Sequence, residues 1–141
     1  MIVHAHSGLR WLVISLLVYA IYNAVTGKNS YEKKDKMINL FAMISLHIQL
    51  LLGLILYYTS GNVSFDDGWI KNPILRFYGM EHLMGMLIAI ILITIGRKVA
   101  EKQDSAAQKH KKILIWYSIG LLLILASIPW PFREALEGSW F

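Results

Sequence analysis

The sequence predicts an all-α integral membrane protein, a four-helix bundle with its amino and carboxyl termini on the outer (periplasmic) side. Of the 141 residues, 56% are apolar and only 16% are charged, which is typical of a membrane protein. Four segments approach or exceed the roughly 20 mostly apolar residues that cross a bilayer. Lysine and arginine collect between alternate segments. At this length a single domain, residues 1–141, is expected.

The four predicted spans run from Leu9 to Thr26, Met37 to Thr59, His82 to Ile95, and Ile113 to Trp130. No basic residues precede the apolar stretch of the first span and no small-residue cleavage pattern closes it, so we expect a retained helix and not a secretory signal. The third span is short. Its helix is expected to continue through "RFYGME" at one end or through "GRKVAEK" at the other.

The charge pattern predicts the orientation. The loops "GKNSYEKKDK" and "GRKVAEKQDSAAQKHKK" carry four and six of the 14 lysines and arginines, and both loops lie on one side of a four-span chain. The positive-inside rule makes that side cytoplasmic, which predicts a multi-pass protein of the bacterial inner membrane in contact with lipid. Nucleic acid is excluded as a partner, because the basic residues flank membrane spans and form no soluble face.

Histidine is the informative residue type, because polar side chains within membrane spans tend to face the bundle interior and to mark function. Counted from the lysine-rich ends at about 1.5 Å per residue, His47 lies roughly 16 Å deep and His82 roughly 22 Å deep. These similar depths make His47 and His82 the expected metal ligands. His6, nearer the outer edge, is the substitute if the first helix tilts or the third extends outward.

The helical period places further residues beside these histidines. His82 shares a face with Met86 and with small residues that leave room for a flat ligand: Gly85, Ala89 and Gly96. The alternative is that the small residues only allow close packing of helices. On the first span His6 and Arg10 head a stripe that is expected to point inward. Gln49 falls almost opposite His47 and, if it faces the bundle, is expected to bond to a neighbouring helix.

Haem b fits these constraints best. A chain without cysteine can still hold it through neutral imidazoles, and bundle interiors are usual places for such sites. Its propionates need cations near the outer interface, where Arg10, Arg76 and Arg133 are available. The alternative for Arg10 is that it binds no propionate and only extends its charged end to that interface. Glu81 is expected to pair with Arg10 or Arg76, to orient a histidine, or to accept a proton from quinol.

The stretches "HSGLRW", "LHIQLLLGLILY", "MEHLMGM" and "IPWPFRE" together resemble the small four-span bacterial membrane proteins of the cytochrome b-like kind. More distantly they resemble the haem bundles of quinol-linked cytochromes b. The resemblance touches all four spans and implies haem b ligation through His6, His47 and His82. Because the fourth span has no interior histidine, one haem, or one haem plus a differently ligated second one, is the most that the sequence supports.

Three functions therefore compete. The first is a haem b electron-transfer protein, with quinol as a candidate donor and other membrane subunits or redox proteins as candidate partners. The second is a non-catalytic membrane subunit of a larger respiratory or secretion complex, its histidines satisfied by hydrogen bonds. The third is a small transporter or channel that uses Arg10 and Glu81, which is disfavoured because no span has a Gly/Pro break at its middle.

Overall fold

Four long helices dominate the computed structural model, which describes residues 1–27 and 29–140. They are α1 (Ile2–Thr26), α2 (Lys33–Thr59), α3 (Pro73–Glu101) and α4 (Ala106–Ser127). The described residues contain no strand, so the predicted all-α class is confirmed. Each of the four helices is long and apolar enough to cross a membrane. Lys28, which was counted in the first basic loop, lies outside the described residues.

Helix α3 extends beyond the predicted span at both ends. At its start the Asn72 side chain accepts hydrogen bonds from the next backbone amides, and Pro73 follows at the first helical position, where its missing N–H costs nothing. Arg76 Nε donates to Glu81 Oε1 at 2.7 Å, so the two charges in this extension neutralise each other. The stretch Phe77–Glu81 is π-helical, a local widening that often occurs at functional sites.

The four helices form a ring in which each packs against two neighbours. Helix α1 packs on α2 and α4, and α3 packs on α2 and, most extensively, on α4. Helices α1 and α3 therefore face each other across the diagonal of the bundle. Side chains from these two helices can meet at its centre.

The inward stripe predicted on α1 is confirmed. Its buried residues include Arg10 and the apolar positions Val13, Leu17, Ala20 and Ala24. The small residues on α3 serve helix packing instead of leaving an open face. A side chain at Gly85 would meet Ser127 of α4, and one at Gly96 would meet Trp116. The expectation that this face leaves room for a flat ligand is therefore wrong for Gly85 and Gly96, because α4 covers both.

A polar network closes the lysine-rich end of the bundle. The Tyr31 hydroxyl donates to Glu101 at 2.7 Å and accepts from the Asn39 side chain at 3.0 Å, while the Tyr117 hydroxyl donates to the Asn39 carbonyl at 2.6 Å. Burial, reinforced by the hydrogen bond to Glu101, raises the pKa of Tyr31 well above its usual value. The network ties the loop before α2 to the end of α3.

Candidate functional site

A cavity of about 280 Å³ lies within the bundle, on the side of the two chain termini. All four helices contribute to its wall. Most of the wall is apolar, and the polar side chains on the helices that line it are His6, Ser7, Arg10, Gln49, Tyr57, Tyr78 and His82. An apolar cavity with a few convergent polar groups is the usual form of a cofactor site.

His6 of α1 and His82 of α3 meet at this cavity. Their ring centres are 6.3 Å apart and their planes make an angle of 72°. His82 directly follows the π-helical stretch Phe77–Glu81, and Phe77 and Tyr78 of that stretch lie against its ring. The diagonal arrangement of α1 and α3 thus brings two imidazoles to the bundle centre.

A hydrogen bond fixes the orientation of His82. Its Nδ1 lies 2.7 Å from the carbonyl oxygen of Ser127, where α4 ends. Because a carbonyl only accepts, Nδ1 carries the proton, and in the neutral ring Nε2 keeps its lone pair. Within the described residues no hydrogen-bond donor occupies Nε2. This is the arrangement by which histidine ligands to metals are usually oriented.

Helix α2 holds His6 from the side. Gln49 Nε2 donates to the His6 carbonyl at 2.8 Å, which confirms that Gln49 bonds to a neighbouring helix. The His6 ring lies against Gly53, where an added Cβ would come within 3.2 Å of ring carbon Cε1. Its Nδ1 is buried, with no hydrogen-bond partner among the described residues. A buried imidazole without a partner is costly unless a ligand uses it.

His47 lies outside this cavity. It is absent from the cavity wall, and its Nδ1 donates to the Met43 carbonyl one turn earlier on the same helix, at 2.8 Å. His6 packs beside Gly53, which is six residues or about 9 Å further along α2 than His47. The structure thus brings together His6 and His82, whereas depth along the sequence favoured His47 and His82.

Arg10 lies one turn below His6 on the cavity wall and is only 8% exposed. Its guanidinium donates to the backbone carbonyls of Ser139 at 3.2 Å and Trp140 at 2.7 Å. It also lies 5.5 Å from the ring centre of Trp11 and 5.8 Å from that of Trp130. These contacts compensate a charge that would otherwise cost about 2.5–3.5 kcal/mol in hydrocarbon. Arg10 Nε is buried, and no group of residues 1–27 or 29–140 forms a hydrogen bond with it.

The other predicted site residues divide between the cavity and its surroundings. Met86 lines the cavity one turn after His82. Arg76 and Glu81 pair with each other, as one of the sequence alternatives predicted, and neither lines the cavity. Arg133 donates to the carbonyls of Ala126 and Ile128 and lies over the Phe77 ring at 4.9 Å, also outside the cavity.

Several wall residues were not identified from the sequence as part of a site. The Tyr57 hydroxyl donates to the Gly79 carbonyl at 2.9 Å, and the Tyr78 hydroxyl donates to the Leu136 carbonyl at 3.2 Å. Both hydroxyls therefore bind backbone carbonyls next to the cavity. Residues 137–139 also line it. The sequence offered one signal about which face of α2 lines the cavity. Gln49 lies almost opposite His47 on this helix, so when Gln49 faces the bundle interior, His47 faces away from it.

No group of three or more histidine, aspartate or glutamate side chains that could hold a metal ion occurs in the part of the chain that the structure describes. Comparisons with protein-family models, with curated proteins and with solved structures found no match to this chain. What the site can do therefore follows from its own geometry and chemistry.

Proposed function

We propose that this chain is a membrane-embedded electron-transfer protein that binds one haem b between His6 and His82. The observation that carries the proposal is the pair of imidazoles at the cavity, with 6.3 Å between ring centres. Bonds from a metal ion to imidazole nitrogens are about 2.0–2.1 Å long, as for zinc, so two imidazoles that would hold one ion can have their ring centres roughly 6 Å apart. The separation of His6 and His82 suits one ion between them.

The donor set favours haem over a bare ion. Protein zinc sites take three or four side-chain ligands, and the described residues offer two histidines here with no third histidine or carboxylate ligand. Haem brings most of the iron's ligands in its own ring and would need only one or two side chains to hold it, for which histidine is a usual choice. The unpartnered Nδ1 of His6 and the oriented ring of His82 fit that need.

One haem accounts for the histidines that can act together. His47 bonds within its own helix, and His110 bonds to the Ser30 carbonyl at the opposite end of the bundle, at 2.7 Å. His4 is exposed on the first turn of α1. None of these three histidines lines the cavity, so the part of the chain that the structure describes offers no matched pair of histidines for a second haem.

The chain's own residues would hold the haem, orient its ligands and exclude water. Leu46, Leu50, Leu83, Met86 and Ile90 supply an apolar wall that suits the porphyrin ring. Bound haem b supplies one-electron exchange at its iron. Because the site lies in a membrane bundle, we propose lipid-soluble quinol as its electron donor, and redox proteins or other membrane subunits as partners.

Arg10 is the cation that we propose for a haem propionate. Its replacement by leucine should weaken haem affinity by about 10- to 150-fold, since a charge-assisted hydrogen bond contributes about 1.5–3 kcal/mol. Arg10→Lys should retain part of the affinity, because lysine lacks the planar fork. Haem titration of the purified variants measures both effects. Arg97→Leu is the matched control, because Arg97 belongs to the lysine-rich end of the bundle and does not line the cavity. Equal affinities in the two leucine variants would show that Arg10 does not serve the cofactor.

We further propose that the termini face the periplasm of a bacterial inner membrane, on the strength of the two basic loops. Single cysteines at Ser30 and Asp67 test this orientation, because the chain has no native cysteine. A membrane-impermeant thiol reagent added to intact cells should label position 67 and leave position 30 unlabelled. Labelling of position 30 from outside would refute the proposed orientation.

The absorption spectrum of the purified, dithionite-reduced protein tests the proposed function. Sharp b-type bands with about one haem per chain are expected. A non-catalytic subunit, or a transporter that uses Arg10 and Glu81, would show no such bands after expression with sufficient haem. That result would refute the electron-transfer proposal.

A further inference from the structure

The chain beyond α4 folds back over the terminal side of the cavity. We call residues 129–140 the carboxyl-terminal strap. Glu137, Gly138 and Ser139 of this strap form part of the cavity wall, so the cavity is complete only when the strap is seated. The helices supply the rest of the wall.

Side chains from α1 and α3 hold the strap through its backbone. Arg10 donates to the carbonyls of Ser139 and Trp140, and Trp11 Nε1 donates to the Trp140 carbonyl at 3.2 Å. From the other side of the cavity, the Tyr78 hydroxyl donates to the Leu136 carbonyl at 3.2 Å. The two diagonal helices that carry His6 and His82 thus also carry the groups that hold the strap.

The two ends of the strap also pack closely against each other. A Cβ on Gly138 would overlap the carbonyl oxygen of Pro129, where the strap begins, so the end of the strap can fold over its start in this way only with glycine at position 138. Glu137 adopts a left-handed conformation, with φ of 50°, which is uncommon for a residue with a side chain. The Trp140 ring packs against Trp11 and Trp130, with ring centres 6.2 and 6.0 Å away.

We propose that the strap closes the cavity and that Arg10 holds the strap in its closed position. Seated, it excludes water from the space between His6 and His82; released, it opens that space toward the terminal face of the bundle, where the cofactor would enter and leave. The closure itself does not depend on which cofactor the cavity takes. The effect on haem rests on the proposed function.

A cysteine inside the cavity tests the closure directly. Ser7→Cys places a thiol on the cavity wall of a chain that has no other thiol. In that background Gly138→Ala should unseat the strap and speed the reaction with a water-soluble maleimide at least tenfold. Gly61→Ala is the matched control, since a Cβ there meets nothing within 4 Å. Equal rates in the Gly138→Ala and Gly61→Ala proteins, together with a slow reaction in the truncated protein described next, would overturn the proposal.

A second variant covers the case in which alanine is accommodated by a local shift. Deleting residues 137–141 removes Glu137, Gly138 and Ser139 from the cavity wall and leaves all four helices intact. The Ser7→Cys thiol should then react at the same raised rate, and any bound haem should pass to excess apomyoglobin at least tenfold faster. A slow thiol reaction in this truncated protein would refute the closure. A fast thiol reaction in a protein that never binds haem would support the closure and refute the proposed cofactor.

Discussion

Replacing His82 by alanine should abolish haem binding or reduce haem content at least tenfold. The change removes one of the two imidazoles that would hold the haem, the ring that Ser127 orients through its carbonyl. No other histidine on α3 can take its place, because His82 is the only one in that helix. Haem per chain, measured on the purified protein, gives the result.

His110→Ala is the control for this substitution. His110 is also buried and also bonds a backbone carbonyl, but it lies at the opposite, lysine-rich end of the bundle. Its replacement should leave haem content and spectrum unchanged. If the His82→Ala protein had the spectrum and haem content of the unaltered protein, His82 would not be part of the haem site.

The second large effect that we expect is a difference in haem content between the His6→Ala and His47→Ala proteins. His6→Ala should cause a loss of haem as severe as that in His82→Ala, because its ring meets His82 at the cavity. His47→Ala should retain the haem with an unchanged spectrum, since His47 bonds only its own helix and does not line the cavity. The reduced spectra of the two variants, recorded at equal protein concentration, measure the difference.

The opposite pattern would restore the ligand pair that the sequence favoured. Loss of haem in His47→Ala, with retention in His6→Ala, would mean that the cofactor lies deeper in the bundle, between α2 and α3. The cavity beside Gly53 would then be unrelated to haem binding.

The helices could be predicted from the sequence because hydropathy and length determine which segments cross a bilayer. The start of α3 could not be placed with the same certainty. The sequence left open whether the helix continues through "RFYGME" or through "GRKVAEK" and whether Glu81 pairs with Arg10 or Arg76. The structure shows helix through both stretches and the pair Arg76–Glu81. The π-helical stretch that follows Arg76 likewise has no simple sequence signal.

The candidate site was predicted in its residue types and only partly in its geometry. Depth along a helix gives one coordinate of a side chain, whereas meeting another side chain also requires the right face and the right tilt. His47 lies on another face of α2 than Gln49, which reaches across to His6, and about 9 Å along the helix from Gly53, beside which His6 packs. The contribution of the strap could not be predicted, because Arg10 donates to backbone carbonyls of the strap. Every residue has such a carbonyl, so no sequence pattern identifies the ones that Arg10 binds.

The electron paramagnetic resonance spectrum of the oxidised protein tests the central claim most directly, because it reports the haem and its histidine ligands at once. One low-spin ferric haem is expected, held by the imidazoles of His6 and His82, which meet at the cavity. A high-spin signal, which indicates a missing second ligand, or the absence of any haem signal from protein expressed with sufficient haem, would contradict the claim.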